Sequence, residues 1–543
     1  MTTRHEHQWP SFSQRAAGRR LNRRAALKGA AAGGLVVGLG GMAGPGTGID
    51  SFAMEARAQA AGTLTVGKPS EPITLDPQFA DGVNEYTVLV NIMDGLFTTG
   101  ENVEVVPRLV ESWEQLDDLT WEFTLRPDIV FHNGEPLTSE AVKASYDRSM
   151  DPDLAVLNTW GGDVNLESVE IVDDLTFRFI TSEFTPQMLA RLANDHFIFP
   201  PQYLAENDAA TIARNPVGTG PYVFQEWVAG ENITMTTNPD YWGDPQPSVE
   251  TVVWRFIPEH ATRLASLETG EIDLADALLP TAIADLEAAE HLEAVSVEGT
   301  RRVYIGLNTL LPPTDDVRVR QAINYGTDIE AICETIFGGA TTRMRNWMEP
   351  AFQNPEVEGY RYDPELARQL LAEAGYPDGV SVTLDYARTG SLGIEEFPQA
   401  IAISLREVGI EVELNLLENN ILTERIEQAS LGDAEAVGNM YLRSNASYFD
   451  PGLTYSYWRP ADDDNGTGYA NPEFVALLDQ ILTSGTPEER LEWAYEAQEI
   501  FMEDAPGLFL WYEPKIYGLN TRVQGFAPTG DEHLRFAEVT LAE

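Results

Sequence analysis

The sequence is poor in cysteine and in basic residues. Its 543 residues include one cysteine, Cys333, so no intramolecular disulfide can form. Lysine and arginine number 35 against 86 aspartates and glutamates, which gives a formal net charge of −51 at pH 7. Because phosphate binding needs clustered basic side chains, this charge argues against a nucleic-acid partner. Strong acidity instead favours solubility in salty or crowded surroundings.

Motifs of the common catalytic and cofactor sites are also missing. The chain has no HExxH, GxSxG or GxxxxGK[ST] pattern. A partial calcium-loop pattern begins at Asp463, but its twelfth position is Phe474, where a glutamate is needed. The histidines beyond residue 60 have no metal-ligand spacing: His132, His196, His260, His291 and His533. The sequence therefore predicts no metal, no cofactor and no enzyme, although carboxylate pairs of the glycosidase type are too common here to identify or dismiss a site.

The first 60 residues differ in composition from the rest. They hold eight basic and three acidic residues, so the remaining chain carries a net charge of −56. The run Asn22–Lys28 (NRRAALK) is similar to the twin-arginine export signal, and a Gly- and Ala-rich apolar stretch follows at 29–49. A membrane anchor is the alternative, but the glycines and Pro45 make that stretch a poor span. Since Ala58-Gln59-Ala60 is a small-x-small pattern, we expect twin-arginine export and cleavage after Ala60.

One stretch, Asn215–Trp227 (NPVGTGPYVFQEW), combines a turn with the start of a strand. Pro216 disfavours helix for the residue before it, and Gly218 and Gly220 give the backbone freedom. None of the side chains is an obvious acid, base or metal ligand, so the stretch predicts a structural corner. It resembles the NPVGTGPY signature of the family 5 extracytoplasmic solute-binding proteins, the oligopeptide-, dipeptide- and nickel-binding partners of ABC importers.

Further motifs carry the same resemblance, in the right order, over essentially all of residues 62–540. They are EPITLDP at 71–77, RPDIVFHNGEPLTSEAVKASYDR at 126–148, ATRLASLETGEIDLAD at 261–276 and the helix region 316–338. The last one departs from the family at Ile329, where a basic residue is expected. Strands that alternate with helices along the chain independently favour an α/β protein.

The resemblance implies a two-lobed periplasmic-binding-protein-like fold, of the large type II class with an extra subdomain. Lobe one is then expected at 61–98, 201–306 and 512–543, the extra subdomain at 99–200, and lobe two at 307–511. The strand at Arg302–Asn308 and a second return near Trp511 are expected to cross between the lobes.

The segment Tyr441–Tyr457 (YLRSNASYFDPGLTYSY) mixes aromatic, amide, hydroxyl and charged side chains with little hydrophobic periodicity. By composition it suits an aromatic-rich loop as well as a ligand-binding seam. It resembles the W-x-x-D-Y-x-[DE]-P pattern of the peptide binders, in which the first Asp holds the ligand's α-ammonium group. Here Ser447 takes that position and Ser444 takes that of the tryptophan. We therefore expect a neutral solute or one with an anionic group, such as a sugar derivative, an opine-like conjugate or a blocked peptide.

On this resemblance the chain is expected to be the non-enzymatic, monomeric binding component of an ABC importer, working outside the cytoplasm. It would close around a small solute and deliver it to the membrane permease. A receptor or chaperone-like protein on the same fold, and an exported hydrolase, are the alternatives. The predicted ligand-binding residues are Glu71, Tyr86, Arg443, Asn445, Ser447, Tyr448 and Asp450. Cys333 lies in an apolar helical pattern and is expected to be buried.

Overall fold

The computed structural model describes residues 62–80, 82–100, 104–154, 156–193, 195–341, 343–387, 396–445, 450–460 and 465–542. The predicted export signal, the predicted cleavage site, Ser447 and Tyr448 lie outside these residues. In the part that is described, no helix is both long enough and apolar enough to cross a membrane.

Helices and strands alternate along the chain, as predicted. The first part has β1 (Thr63–Lys68), α1 (Val83–Leu89), β2 (Phe97–Thr99), β3 (Val105–Pro107), β4 (Val110–Asp117), β5 (Thr120–Leu125), α2 (Ser139–Ser149), α3 (Trp160–Asp163), β6 (Leu166–Ile171), β7 (Thr176–Thr181) and α4 (Met188–Leu192). The next has α5 (Pro201–Glu206), α6 (Ala209–Ile212), β8 (Tyr222–Val228), β9 (Asn232–Thr237), β10 (Thr251–Phe256), α7 (His260–Glu268), β11 (Leu274–Ala275), α8 (Ala282–Ala288) and β12 (Leu292–Leu307).

The remaining elements follow β12. They are α9 (Val317–Gly326), α10 (Ile329–Phe337), a 3₁₀ turn (Pro350–Phe352), α11 (Pro364–Glu373), β13 (Val380–Ala387), α12 (Phe397–Glu407), β14 (Ile410–Leu417), α13 (Asn419–Ser430) and β15 (Met440–Asn445). The chain ends with α14 (Pro451–Ser456), α15 (Pro472–Thr483), α16 (Pro487–Asp504), β16 (Gly507–Asn520), β17 (Val523–Gln524) and β18 (Thr540–Leu541).

Ten of the strands form one sheet in the order β14-β13-β15-β12-β16-β11-β1-β10-β9-β8. We call β11, β1, β10, β9 and β8 the β1 half of this sheet, and β14, β13 and β15 the β13 half. Between the halves lie β12 and β16, which pair with each other in antiparallel orientation. A separate four-stranded sheet, β4-β5-β7-β6, is built from residues of the predicted extra subdomain.

Alternating burial explains this smaller sheet. Along β5 the odd-numbered residues are buried and the even-numbered ones are half-buried, as the pattern of Trp121, Phe123 and Leu125 predicts. The neighbouring strand β7 buries Phe177 and Phe179 in the same way. The rings of Phe123 and Phe177 stack with centroids 5.3 Å apart, so the pairing of β5 with β7 is fixed by aromatic packing on one face.

The strands β12 and β16 connect two hydrophobic cores. Tyr517 and Leu519 of β16 belong to the core of the β1 half, and Val295 of β12 packs against it. At their other ends, Val303 of β12 and Leu510 of β16 belong to the core of the β13 half. Each strand therefore runs from one core into the other, with β16 as the predicted second return. The predicted lobe boundaries themselves stay a prediction.

The 215–227 stretch is a structural corner, as predicted, but its glycines serve close packing more than backbone freedom. A Cβ on Gly218 would lie 2.3 Å from the carbonyl oxygen of Ile92, and one on Gly220 would lie 2.6 Å from the carbonyl carbon of the same residue. Here the Gly220 and Tyr222 amides donate to the carbonyls of Ile92 and Asn91, at 2.9 Å each. Helix α1 stops at Leu89, and the carbonyls of Asn91 and Ile92 pair with the corner instead.

Sequence patterns typical of helix starts coincide with the first turns of α11 and α16. Asp363 caps α11 by accepting from the Leu366 amide at 3.0 Å, and the capping box of Thr486 and Glu489 has both of its hydrogen bonds. Thr138 is the N-cap of α2, but its side chain makes no capping bond. Cys333 is buried in α10, as expected, and burial raises the pKa of its thiol to about 12.

Candidate functional site

The carboxyl ends of parallel strands are where open α/β sheets bind ligands. In the β1 half, β1 is parallel to both β10 and β11, and these strands end at Lys68, Phe256 and Ala275. In the β13 half, β13 is parallel to both β14 and β15, and these strands end at Ala387, Leu417 and Asn445. Each half thus has its own candidate ligand edge.

Strand direction brings the two edges to the same place. β11 and β12 are both antiparallel to β16, so they run in the same direction. Both pair with Leu519 and Gly518 of β16, so β11 lies level with the start of β12. By contrast β15 is antiparallel to β12, and its last residue, Asn445, lies opposite Arg302. The parallel strands of the two halves therefore point toward each other along β12. We call the region where they meet, around residues 298–302 and 512–515, the strand-end site.

The pairing of β12 with β16 is interrupted at this site. Its register shifts between Glu298 and Arg302, so residues 299–301 have no regular partners on β16. Gly299 is needed because a Cβ there would lie 2.3 Å from the carbonyl oxygen of Glu513. Thr300 instead bonds to the Gly530 carbonyl through its amide and its hydroxyl, both at 3.0 Å. Because regular pairing is interrupted at one level in both crossing strands, we expect the chain to bend here if the halves move.

Charged side chains of both signs surround the break on the side of the β1 half. We call them the hinge cluster: Lys68, Asp276, Arg301, Glu513, Lys515 and Glu532. Lys515 pairs with Glu532 at 3.0 Å and with Glu513 at 3.6 Å, and Arg301 pairs with Glu532 at 3.6 Å. Lys68 lies 3.9 Å from Asp276. The second oxygen of Glu513, Oε2, is buried and accepts no hydrogen bond among the described residues.

The pKa values of this cluster follow its burial and its partners. Burial lowers the pKa of Lys68, and the carboxylates of Asp276 and Glu85 offset this only in part. Burial would also lower the pKa of Lys515, but Glu532 and Glu513 raise it above its ordinary value. The pKa of Glu532 is lowered because Lys515 and Arg301 outweigh the opposite effect of burial. The site is thus an ion cluster in which Lys515 is well compensated and Lys68 is not.

On the side of the β13 half, the charge next to the break is fully neutralised. Arg302 is buried and donates from Nη1 to Glu349 at 3.0 Å and to the Trp347 carbonyl at 3.1 Å. Its guanidinium also lies over the Trp347 ring, 4.4 Å from the centroid. Glu349 in turn accepts from the Thr454 hydroxyl at 2.8 Å. The charges of Arg302 and Glu349 thus neutralise each other next to the break.

Two predicted ligand residues lie in the β1 half. Glu71 accepts from the indole of Trp227 at 2.6 Å and from the Gly230 amide at 2.9 Å, so its carboxylate holds the turn between β8 and β9. Tyr86 on α1 receives a hydrogen bond from Asn158 at 2.9 Å, and its ring lies 6.4 Å from that of His533. The structure therefore gives Glu71 a supporting position at the β8–β9 turn and Tyr86 a half-buried one. Ligand contact by either residue stays a prediction.

Three more predicted residues lie at or after the end of β15. Arg443 donates to the Thr423 hydroxyl at 3.2 Å, and the buried amide nitrogen of Asn445 has no acceptor among the described residues. Asp450 is 2% exposed, accepts from the Gly452 and Leu453 amides and pairs with Arg490 at 2.7 Å. Its carboxylate is thus occupied at the start of α14. The buried amide nitrogen of Asn445 is thus an unused donor at the strand-end site.

Sequence reasoning missed Lys68, Glu513 and Lys515. For Lys68 a signal existed: Leu64, Val66 and Lys68 share one face of β1, so strand alternation places a lysine on the buried side at the carboxyl end. No such signal marks Glu513 or Lys515, because their neighbours come from β12 and from residue 532. Among the described residues, no group of three or more His, Cys, Asp or Glu side chains could hold a metal ion.

Comparisons with known proteins agree with this architecture. The profile of the bacterial extracellular solute-binding proteins, family 5, middle region, matches residues 104–470. The glutathione-binding protein GsiB of Salmonella paratyphi A is 27% identical over 493 residues, which cover 89% of this chain and 95% of GsiB.

Two solved structures are similar at the same level of identity. The periplasmic binding protein DppA of Helicobacter pylori, in complex with the peptide STSA, is 27% identical with a TM-score of 0.73, covering 90% of this chain and 99% of that one. The binding protein AgaA of A. tumefaciens R10, in complex with agropinic acid, is 27% identical with a TM-score of 0.71, covering 89% and 99%. These likenesses confirm the predicted two-lobed α/β fold of type II periplasmic binding proteins.

Proposed function

Because this chain belongs to the bacterial extracellular solute-binding proteins of family 5, we propose that it holds a small solute at the strand-end site and delivers it to the permease of an ABC importer. The family consists of substrate-binding proteins that act outside the cytoplasm. The observation that carries the proposal is the convergence of both sets of carboxyl strand ends on one break in the crossing strands. A solute bound there touches both halves and favours the closed arrangement by its differential affinity.

The proposed solute is peptide-like, opine-like or a sugar derivative, neutral or with an anionic group. Glutathione, the peptide STSA and agropinic acid, which the similar proteins bind, all carry carboxylates. Asn445 offers a buried donor for such a group, and Arg443 offers a positive charge on the same strand. Ser447 at the position of the peptide binders' aspartate weakens an ammonium anchor, since a hydroxyl accepts one hydrogen bond but has no charge. Tyr448, Glu71 and Tyr86 complete the proposed site, and Asp450, whose carboxylate pairs with Arg490, positions the segment before α14.

Export through the twin-arginine pathway, cleavage after Ala60 and a monomeric state are further parts of this proposal. They are supported by the Arg23-Arg24 pair, by the Ala58-x-Ala60 pattern and by the acidity of the remaining chain. N-terminal sequencing of the exported protein should give Ala61 as the first residue. Replacement of both Arg23 and Arg24 by lysine should block export, and undiminished export would contradict this pair as the signal.

The binding function is tested by carrying the natural solute through gentle purification. Native mass spectrometry of the exported protein should show a bound small molecule, and mild unfolding and refolding should remove it. Small-angle scattering should then give a smaller radius of gyration when the identified molecule is added back. Tight binding with an unchanged radius would mean that the halves do not close, and the absence of any small-molecule adduct together with no binding of peptides or sugars would contradict the function.

A further inference from the structure

Lys68 is the most unusual residue of the hinge cluster. It is the last residue of β1, it continues the inward row of Leu64 and Val66, and it is 1% exposed. Lysines at that degree of burial are rare unless they are paired, because removing an ammonium from water is costly. Its position at a carboxyl strand end places it where the fold binds ligands.

The ion pair that this ammonium makes is a long one. Its partner is Asp276, whose Oδ2 is 3.9 Å away, beyond hydrogen-bond distance. A charge-assisted hydrogen bond would bring nitrogen and oxygen to about 2.7–2.9 Å. The long contact with Asp276 therefore leaves room for a closer carboxylate at this ammonium.

The other charges near Lys68 are held by other partners. Glu85 accepts from the Ile73 amide at 2.8 Å. Glu532 pairs with Lys515 and Arg301, as described above. Because these carboxylates are already neutralised or fixed elsewhere, Lys68 is the positive group of the cluster that remains available for a new anion. Lys515, the remaining charge that acts on it, is itself compensated by Glu532 and Glu513.

The opposite edge supports the same ligand chemistry. Asn445, at the end of β15, has a buried amide nitrogen without an acceptor among the described residues. At the ends of the converging strands, Asn445 thus presents an unused buried donor and Lys68 a weakly paired ammonium. Leaving such donors unpaired destabilises the protein without solute, and a ligand rich in acceptor oxygens removes that penalty.

We propose that Lys68 holds a carboxylate of the solute in the strand-end site, with Asn445 as a neutral donor from the opposite half. This inference rests on the proposed function and specifies the class of solute: a compound with at least one carboxylate. Lys68 then differs from the other basic residues of the hinge cluster, because in the bound state its close counter-charge comes from the solute, whereas Asp276 lies 3.9 Å away.

The experiment compares carboxylates with their neutral counterparts. Calorimetry with the exported protein uses four probes: glutathione, trialanine and trialanine amide (both with an acetylated amino group) and maltotriose. The variants are Lys68→Met and Lys68→Arg, with Lys143→Met as the control, because Lys143 is half-exposed in a surface pair with Asp147. We expect trialanine to bind at least about tenfold more tightly than its amide, as for the loss of one hydrogen bond to a charged group.

In Lys68→Met this preference should vanish, with trialanine and its amide binding equally weakly, while Lys143→Met keeps it and Lys68→Arg keeps part of it. Thermal unfolding without solute gives a second readout, in which Lys68→Met should be at least as stable as the natural protein. A lower melting temperature with an unchanged acid-to-amide ratio would make Lys68 a structural residue and overturn the inference, while the binding function would stand.

The remaining outcomes are equally distinct. Binding of maltotriose alone, or of the amide as tightly as the acid, would also overturn the role of Lys68 and leave the binding function intact. If none of the four probes binds, both the role of Lys68 as a carboxylate-binding residue and the proposed class of solute are contradicted.

Discussion

The Asp450–Arg490 pair allows a direct test of whether the carboxylate after β15 is structural. Both side chains are almost fully buried and lie 2.7 Å apart, and Asp450 also accepts from two amides at the start of α14. Asp450→Asn keeps a good helix cap but leaves the Arg490 charge uncompensated in the interior. Breaking a buried pair from one side costs about 3–5 kcal/mol, so we expect a loss of that size in the free energy of unfolding.

Urea denaturation followed by tryptophan fluorescence measures this loss without screening the charges. The matched control is Asp479→Asn, because Asp479 pairs with Arg459 at 2.9 Å but both residues are about half exposed. That exposed pair should contribute at most about 1 kcal/mol. In the double variant Asp450→Asn/Arg490→Met, the loss should be smaller than the sum of the two single losses, since no unpaired charge remains.

The result that would refute this reasoning is specific. If Asp450→Asn is as stable as the natural protein within about 0.5 kcal/mol but no longer binds solute, then the carboxylate serves the ligand and not the fold. If stability falls as expected and the remaining folded protein still binds trialanine or glutathione, Asp450 only positions the segment before α14.

Three further predictions concern pH, capping and salt. His533 lies between Asp195 (3.7 Å) and Asp531 (3.5 Å). Burial lowers the pKa of His533, but these carboxylates outweigh burial and raise it above 6.5, so the stabilising charge is fully present below pH 6.5 and is lost as pH rises through the raised pKa. His533→Gln should therefore be most destabilising in mild acid. Thr486→Ala removes the acceptor for the Glu489 amide and should lower the free energy of unfolding by about 1 kcal/mol in urea denaturation. The net charge of −56 beyond residue 60 should make the melting temperature rise when KCl is increased from about 0.05 to about 0.5 M, because salt screens self-repulsion.

Each of these has a clear contrary result. An equal loss for His533→Gln at pH values well below and well above 6.5 would mean that its charge does not matter. Thr486→Ser should be nearly neutral, and a loss as large as that of Thr486→Ala would point away from the hydroxyl. A melting temperature that falls with KCl would show that attractive ion pairs, such as those of the hinge cluster, outweigh the repulsion.

Local patterns predicted much of the fold because their causes are local. Asp363 and Thr486 mark helix starts through bonds to amides three residues away, and β13 and β14 follow from alternation within single strands. The sixteen-residue β12 was predicted only over Arg302–Asn308. Its first part, which contains Glu293, Glu298 and Gly299, has no apolar face strong enough to indicate a strand, and it forms because β16 pairs with it.

The candidate site was less predictable for the same reason. Arg302 meets Glu349 and Asp450 meets Arg490 across 47 and 40 residues of sequence, so their neutralisation is a property of the packing. The motif comparison placed Asp450 near a ligand and could not reveal that its charge was already used. Lys68 was within reach of sequence reasoning, since alternation along β1 buries it, but its long distance from Asp276 is visible only in three dimensions.

The place of β16 in the sheet has a consequence for the order in which the protein can assemble during translation. β11 has β1 on one side and β16 on the other, and the core of the β1 half includes residues as late as Val539. At roughly 5–20 residues per second, the ribosome needs on the order of 10–50 s after β11 to complete β16. Throughout that interval β11 presents an open edge that other strands can pair with. The nascent chain therefore needs protection of its earliest domain until almost the last residue has been made.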